Sequence, residues 1–210
     1  VGAQFSYLYL YGADSNFTTE DHQNRNLSFR NHVFELAFLG RFNLLKYNPY
    51  YNKRFTLYAL AGMAAFYHNP QTYYNGEWVD LQPLGTEGQF LDYGPAPYRR
   101  LQIALPIGGG IKFGFKNGWS IGIEGALRYT FTDYLDDVSD IYADPDDLET
   151  FNPLSEEVAY RRDEYRDRPP YAGTRAERGT KRGSPEFTDW YMQLGIIITK
   201  RATKFDCFRF

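Results

Sequence analysis

The feature that most constrains this chain is strict two-residue alternation through its middle. Leu101, Ile103, Leu105, Ile107, Gly109, Ile111, Phe113 and Phe115 fall on one parity, and Arg100, Gln102, Ala104, Pro106, Gly108, Gly110, Lys112 and Gly114 on the other. Successive side chains of a strand point to opposite faces, so this period marks a strand with one greasy face and one small or polar face. Lys116-Asn117-Gly118 carries an Asn-Gly hairpin signal. The pattern then resumes with Trp119, Ile121, Ile123, Gly125, Leu127, Tyr129 and Phe131 opposite Ser120, Gly122, Glu124, Ala126, Arg128 and Thr130. His32 to Leu44 and Trp190 to Thr199 repeat it, and Phe5 to Tyr11 and Phe55 to Tyr67 read as strands with weaker sidedness. Six strands and an all-β fold are expected.

The two faces are inverted relative to a water-soluble sandwich, whose bulky residues point inward and whose outer face carries long charged side chains. Here the polar face is mostly Gly, Ala, Ser and Thr, with a few charges of both signs: Glu35, Arg41, Lys112, Glu124 and Arg128. Small residues and pairable charges suit the crowded lumen of a narrow barrel, and the bulky face then meets lipid. A membrane strand needs about 9 to 11 residues, which these runs supply. Connections alternate in length: 13–31, 68–99 and 133–188 are long, whereas 45–53 and 116–118 are short. In an antiparallel transmembrane β-barrel this puts long external loops at one end and short periplasmic turns at the other. The expectation is one barrel domain over 1–210 in a bacterial outer membrane, with a periplasmic C-terminal tail, 202–210. Closed bacterial barrels have even strand numbers from eight upward, so an eight-stranded barrel is expected, with six strands here and a first hairpin preceding Val1. Pro106 predicts a bulge or bend beside Gly108–Gly110, because it removes a ladder donor.

Composition narrows the partners. The chain has 19 Tyr, 17 Phe and 3 Trp, and Trp119 and Trp190 fall at strand ends, where aromatic girdles sit. No run of 18 apolar residues occurs, which excludes a bundle of transmembrane helices. A formal charge of -3 and a pI near 5.7 offer no basic field for nucleic acid.

Chemistry-bearing residues are sparse. Eight acids between Asp133 and Glu149 could offer oxygen ligands to Ca2+, but EF-hand spacing is missing and a solvated loop is the simpler reading. The histidines at 22, 32 and 68 allow Ser28 with His32, or His68 with Asp136 and Asp137, as hydrolytic pairs. Nothing in the spacing fixes their geometry, so no catalytic, cofactor-binding or metal residue and no small-molecule substrate is assigned. Glu87 reads as an ordinary loop residue, more tolerant of replacement than Glu124. Cys207 is the single cysteine, and an odd thiol in an exported protein suggests an intermolecular disulfide.

Several segments together resemble a known family: Arg25-Asn26-Leu27-Ser28-Phe29-Arg30 leading into Val33-Phe34-Glu35-Leu36, Asp80-Leu81-Gln82-Pro83-Leu84-Gly85-Thr86-Glu87-Gly88-Gln89, Phe131-Thr132-Asp133-Tyr134-Leu135-Asp136-Asp137-Val138-Ser139, and Arg182-Gly183-Ser184-Pro185 before Asp189-Trp190-Tyr191. These look like the PorG-type outer-membrane barrels of the type IX secretion machinery of Bacteroidetes. The resemblance implies a non-enzymatic eight-stranded barrel that anchors a periplasmic ring of PorK-like (GldK-like) lipoprotein and PorN-like (GldN-like) protein in a machine for protein export and gliding. Barrel enzymes acting on lipid or peptide, and a small diffusion pore, are the alternatives.

Overall fold

In the computed structural model, which describes residues 1–18, 25–161, 177–184, 186 and 188–200, the chain forms one antiparallel sheet. Six long strands make its wall: β1 (Gly2–Ala13), β2 (Ser28–Asn43), β3 (Phe55–Tyr67), β6 (Leu101–Gly114), β7 (Trp119–Thr130) and β8 (Trp190–Lys200). A short hairpin, β4 (Pro70–Tyr74) and β5 (Glu77–Asp80), hangs from the start of β2 through Arg30 and Asn31. The wall runs β1-β2-β3-β6-β7-β8. The fold is all-β, and the sheet curls into a half-barrel. No backbone ladder joins β1 to β8 among the described residues, yet the curl brings the Gln4 amide to 3.4 Å from the Gln193 side-chain oxygen.

Burial follows parity as the inverted alternation requires. Glu35, Ala37, Tyr58, Phe66, Ala104, Ala126 and Tyr191 turn to the concave side and are buried. Leu36, Phe38, Met63, Ile107, Ile123, Leu194 and Ile196 turn to the convex side and are exposed by 46–73%. Aromatics bracket this aliphatic band. Tyr9, Tyr11, Tyr67, Tyr129, Phe131 and Trp190 lie at the long-loop end; Phe42, Phe55, Phe113, Phe115 and Trp119 lie at the short-turn end.

Two details of β6 explain how the concave side is filled. A Cβ at Gly110 would lie 2.6 Å from the Tyr58 hydroxyl, and one at Gly108 would lie 2.1 Å from the Gly125 carbonyl. Bare backbone at Gly110 leaves room for Tyr58 to cross the interior, and at Gly108 it lets β6 lie close against β7. Pro106 produces no bulge: the β3–β6 ladder skips the pairs facing Leu105 and Pro106 and resumes in unchanged register, Ala61 with Ile107 and Ala64 with Ala104. One missing donor is met by a local gap in the ladder rather than by an extra residue.

The long connections depart most from expectation. β1 runs on to Ala13 and β2 starts at Ser28, so the first loop is shorter than 13–31. The second contains the β4–β5 hairpin, and the third contains helices α1 (Pro145–Phe151) and α2 (Pro153–Ala159), each opened by an Asx cap and a proline. Leu81, Leu84 and Val158 pack together, as do Tyr142, Ala143, Leu148, Ala159 and Tyr160, giving the loops two small cores of their own. The loops form a folded cap over one end of the half-barrel.

Candidate functional site

The candidate lumen charges meet as two pairs. Arg128 on β7 contacts Glu35 on β2 at 3.3 Å, with side-chain exposures of 2% and 0%. Tyr191 donates to the same carboxylate at 2.8 Å, and Arg128 also reaches Gln193 and the Ala126 carbonyl. Nearer the short turns, Arg41 on β2 binds Glu124 on β7 through both carboxylate oxygens at 2.6 and 2.9 Å, and the Tyr58 hydroxyl donates to Glu124 at 2.8 Å. A charge taken out of water is tolerated where it is paired and its remaining oxygens are hydrogen-bonded, and both carboxylates meet that condition. Lys112 stays outside these pairs. Its ammonium lies over the rings of Tyr47 and Tyr58, 4.6 and 5.5 Å from their centroids.

The cap holds a second buried network. Glu87 accepts from Arg182 at 2.9 Å and from the Ser139 N–H at 2.8 Å. Asp137, in the left-handed region at φ 68°, accepts from the Thr86 and Tyr98 hydroxyls, while Arg182 donates to its carbonyl. Arg25 grips Asp14 through two nitrogens and donates to the Arg182 carbonyl. Glu87 is therefore no ordinary loop residue: it is buried and ion-paired. Of the acids read as a solvated run, Asp137 is buried and Asp133 and Asp136 are half-buried, whereas Asp140, Asp146, Asp147 and Glu149 remain exposed. Burial, with Asp136 and Asp133 close by, pushes Asp189 up to about 7, and burial raises Asp136 to about 6.

The hydrolytic pairs do not assemble. His68 is buried with its Nε2 3.3 Å from the Arg99 carbonyl, and it stacks on Tyr98 rather than hydrogen-bonding to an acid. Burial lowers it to about 4, so its ring is neutral near pH 7. His32 lies against Tyr7, with Nδ1 2.6 Å from the hydroxyl, whereas Ser28 accepts from Arg161. His22 and Cys207 lie outside the described residues. Among the described residues no group of three His, Cys, Asp or Glu could hold a metal ion, and no helix is long and apolar enough to cross a membrane.

Trp119 and Trp190 stand at opposite ends of the β7–β8 ladder, Trp119 opposite Lys200 and Trp190 opposite Tyr129. Sequence reasoning found the wall charges because they interrupt an alternating face. It missed Glu87, Arg182, Tyr98 and Asp14, whose partners come from other loops.

Comparison with curated proteins and with solved structures finds no match to this chain. A family profile described as "Domain of unknown function (DUF6089)" matches residues 2–155, spanning β1 to β7, the β4–β5 hairpin and α1. Those residues contain both wall charge pairs and every named member of the cap network except Arg182. The chain belongs to the DUF6089 family.

Proposed function

We propose that this chain forms most of the wall of a transmembrane β-barrel in a bacterial outer membrane and serves there as a non-enzymatic anchor for a periplasmic assembly. One observation carries the membrane reading: a continuous convex band of exposed Leu, Ile, Met and Phe, bracketed by aromatics at both ends. Soluble monomers rarely expose apolar patches beyond a few hundred Å2, whereas outer-membrane barrels require such a band with aromatic girdles. Closure of the wall between β1 and β8 is part of the proposal, since hydrocarbon does not tolerate an open sheet edge.

The anchoring role rests on the resemblance to PorG-type barrels, which makes a ring of PorK-like lipoprotein and PorN-like protein the expected partner and type IX secretion the setting. The filled concave side and neutral, acid-free His68 give no support to a pore or a hydrolase.

The test uses the full-length protein in its native membranes. It should fractionate with the outer membrane, migrate faster on gels before boiling than after, and bring the ring proteins down from detergent extracts. Recovery in the soluble periplasm sinks the barrel reading; an outer-membrane barrel that brings down no ring protein sinks only the anchoring role.

A further inference from the structure

The short-turn end carries a chemistry that neither the wall nor the cap uses. Lys46, Lys53, Arg54, Lys116 and Lys200 gather there, and the segments 44–54, 114–119 and 199–200 contain no Asp or Glu. Between these turns a cavity of about 380 Å3 opens into the concave side. Lys112 and Lys200 line it with Asn43, Tyr47, Ser120 and Thr199, and no carboxylate does.

The missing counter-charge decides what the cavity suits. Both carboxylates of the wall interior are committed, Glu35 to Arg128 and Tyr191 and Glu124 to Arg41 and Tyr58. Among the described residues no acid lies within ion-pair distance of Lys112, and Lys200 likewise faces only a ring, that of Trp119 at 4.9 Å. An ammonium has three donors and no acceptor. Ring faces attract its charge but leave those donors without oxygen partners.

We propose that this cavity docks a carboxylate-bearing peptide segment of a periplasmic partner, with Lys112 binding the acid, the Ser120, Thr199 and Tyr47 hydroxyls around it, and Lys200 at the rim against Trp119 adding only to the positive field. The proposal rests on the barrel reading, which turns this end to the periplasm, and names the chemistry of the partner there. Charge complementarity favours an acidic partner. A peptide fits better than a phospholipid headgroup because Lys112 faces the concave side, away from the convex apolar band.

The test places the full-length protein in phosphatidylcholine nanodiscs and titrates fluorescein-labelled hexaglutamate at low salt, where exposed charges are least screened. Heat-modifiable migration first establishes that each variant is folded and inserted. Hexaglutamate should bind saturably and hexaglutamine should not. Lys112→Met should weaken binding about tenfold, and Lys116→Met, at the same end but outside the cavity, by less than about twofold. Equal affinities for wild type and Lys112→Met would reduce the effect to diffuse rim charge and overturn the site. A Lys112-dependent site that takes phosphatidylglycerol but not hexaglutamate is a lipid site, and binding gained only after deletion of residues 201–210 makes the chain's own end the occupant; either result overturns the proposal. A chain that enters no nanodisc refutes the barrel reading and this proposal with it, whereas an inserted chain that ignores hexaglutamate refutes only the docking site.

Discussion

The wall and the cap solve one problem, the placement of charge out of water, by different routes. In the wall, Glu35, Arg41, Glu124 and Arg128 sit at fixed positions on regular strands, and the curl of the sheet brings opposite signs together. In the cap, Glu87, Asp137 and Arg182 meet through segments separated by about 50 and 95 residues of chain, without a repeating geometry. The wall's charges need only a correct register; the cap's need two separate loops to fold against each other.

The sharpest way to separate the two regions is Arg182→Met. It leaves Glu87 and the Asp137 carbonyl without their buried donor, a loss worth about 3–5 kcal/mol. The cap should become protease-sensitive while heat-modifiable migration of the wall persists. If cap and wall are lost together, they form a single cooperative unit and the distinction fails.

A second comparison sets Ile123→Arg against Ile141→Arg, at residues exposed by 50% and 43%. On a lipid-facing wall the first should cost about 2–4 kcal/mol, and on a hydrated cap the second should stay within about 0.5 kcal/mol. Equal melting temperatures in bilayers would put both residues in the same solvent. Arg41→Met is the smaller wall effect, about 1–2 kcal/mol, because its side chain keeps 31% exposure and its lost pair is partly screened.

The remaining comparison is of pH dependence, at the seam between the regions. Asp189, whose carboxylate accepts from the Leu135 N–H, titrates near 7 in the folded protein against an ordinary 3.8. The folded state therefore keeps a proton that the unfolded chain has lost. This group's contribution to stability falls as pH rises from about 4 to about 7 and is level above. Melting should be lower at about pH 8 than at about pH 5, since burial also raises Asp136 to about 6 and Asp137 to about 7, and Asp189→Asn should reduce the difference. If wild type and Asp189→Asn show the same change in melting temperature across that interval, the assigned burial is wrong.

The same contrast explains what the sequence shows. Period two survives in β6 and β7 because each residue's facing depends only on its neighbours along the strand, so Ile123 outward and Glu124 inward follow from spacing alone. Glu87 carries no such mark. Its burial depends on Arg182 and Ser139, and a lone Glu in a Gly-rich stretch looks the same whether solvated or paired. The helices α1 and α2 announce themselves only through Asp144-Pro145 and Asn152-Pro153, short signals easily read as turns. Pro106 misled for a related reason: a ladder gap and a bulge begin from the same missing donor and differ only in register.

The order of signs along the two facing strands has a mechanical consequence. β2 offers acid then base, Glu35 and Arg41, and antiparallel β7 offers acid then base, Glu124 and Arg128, so each acid meets a base only at one relative offset. Sliding β7 along β2 by one pair would bring a carboxylate to a carboxylate or a guanidinium to a guanidinium. The interior charges therefore act as a two-tooth key that resists shear between distant strands, a direction of motion that backbone ladders to the nearest neighbours do not directly restrain.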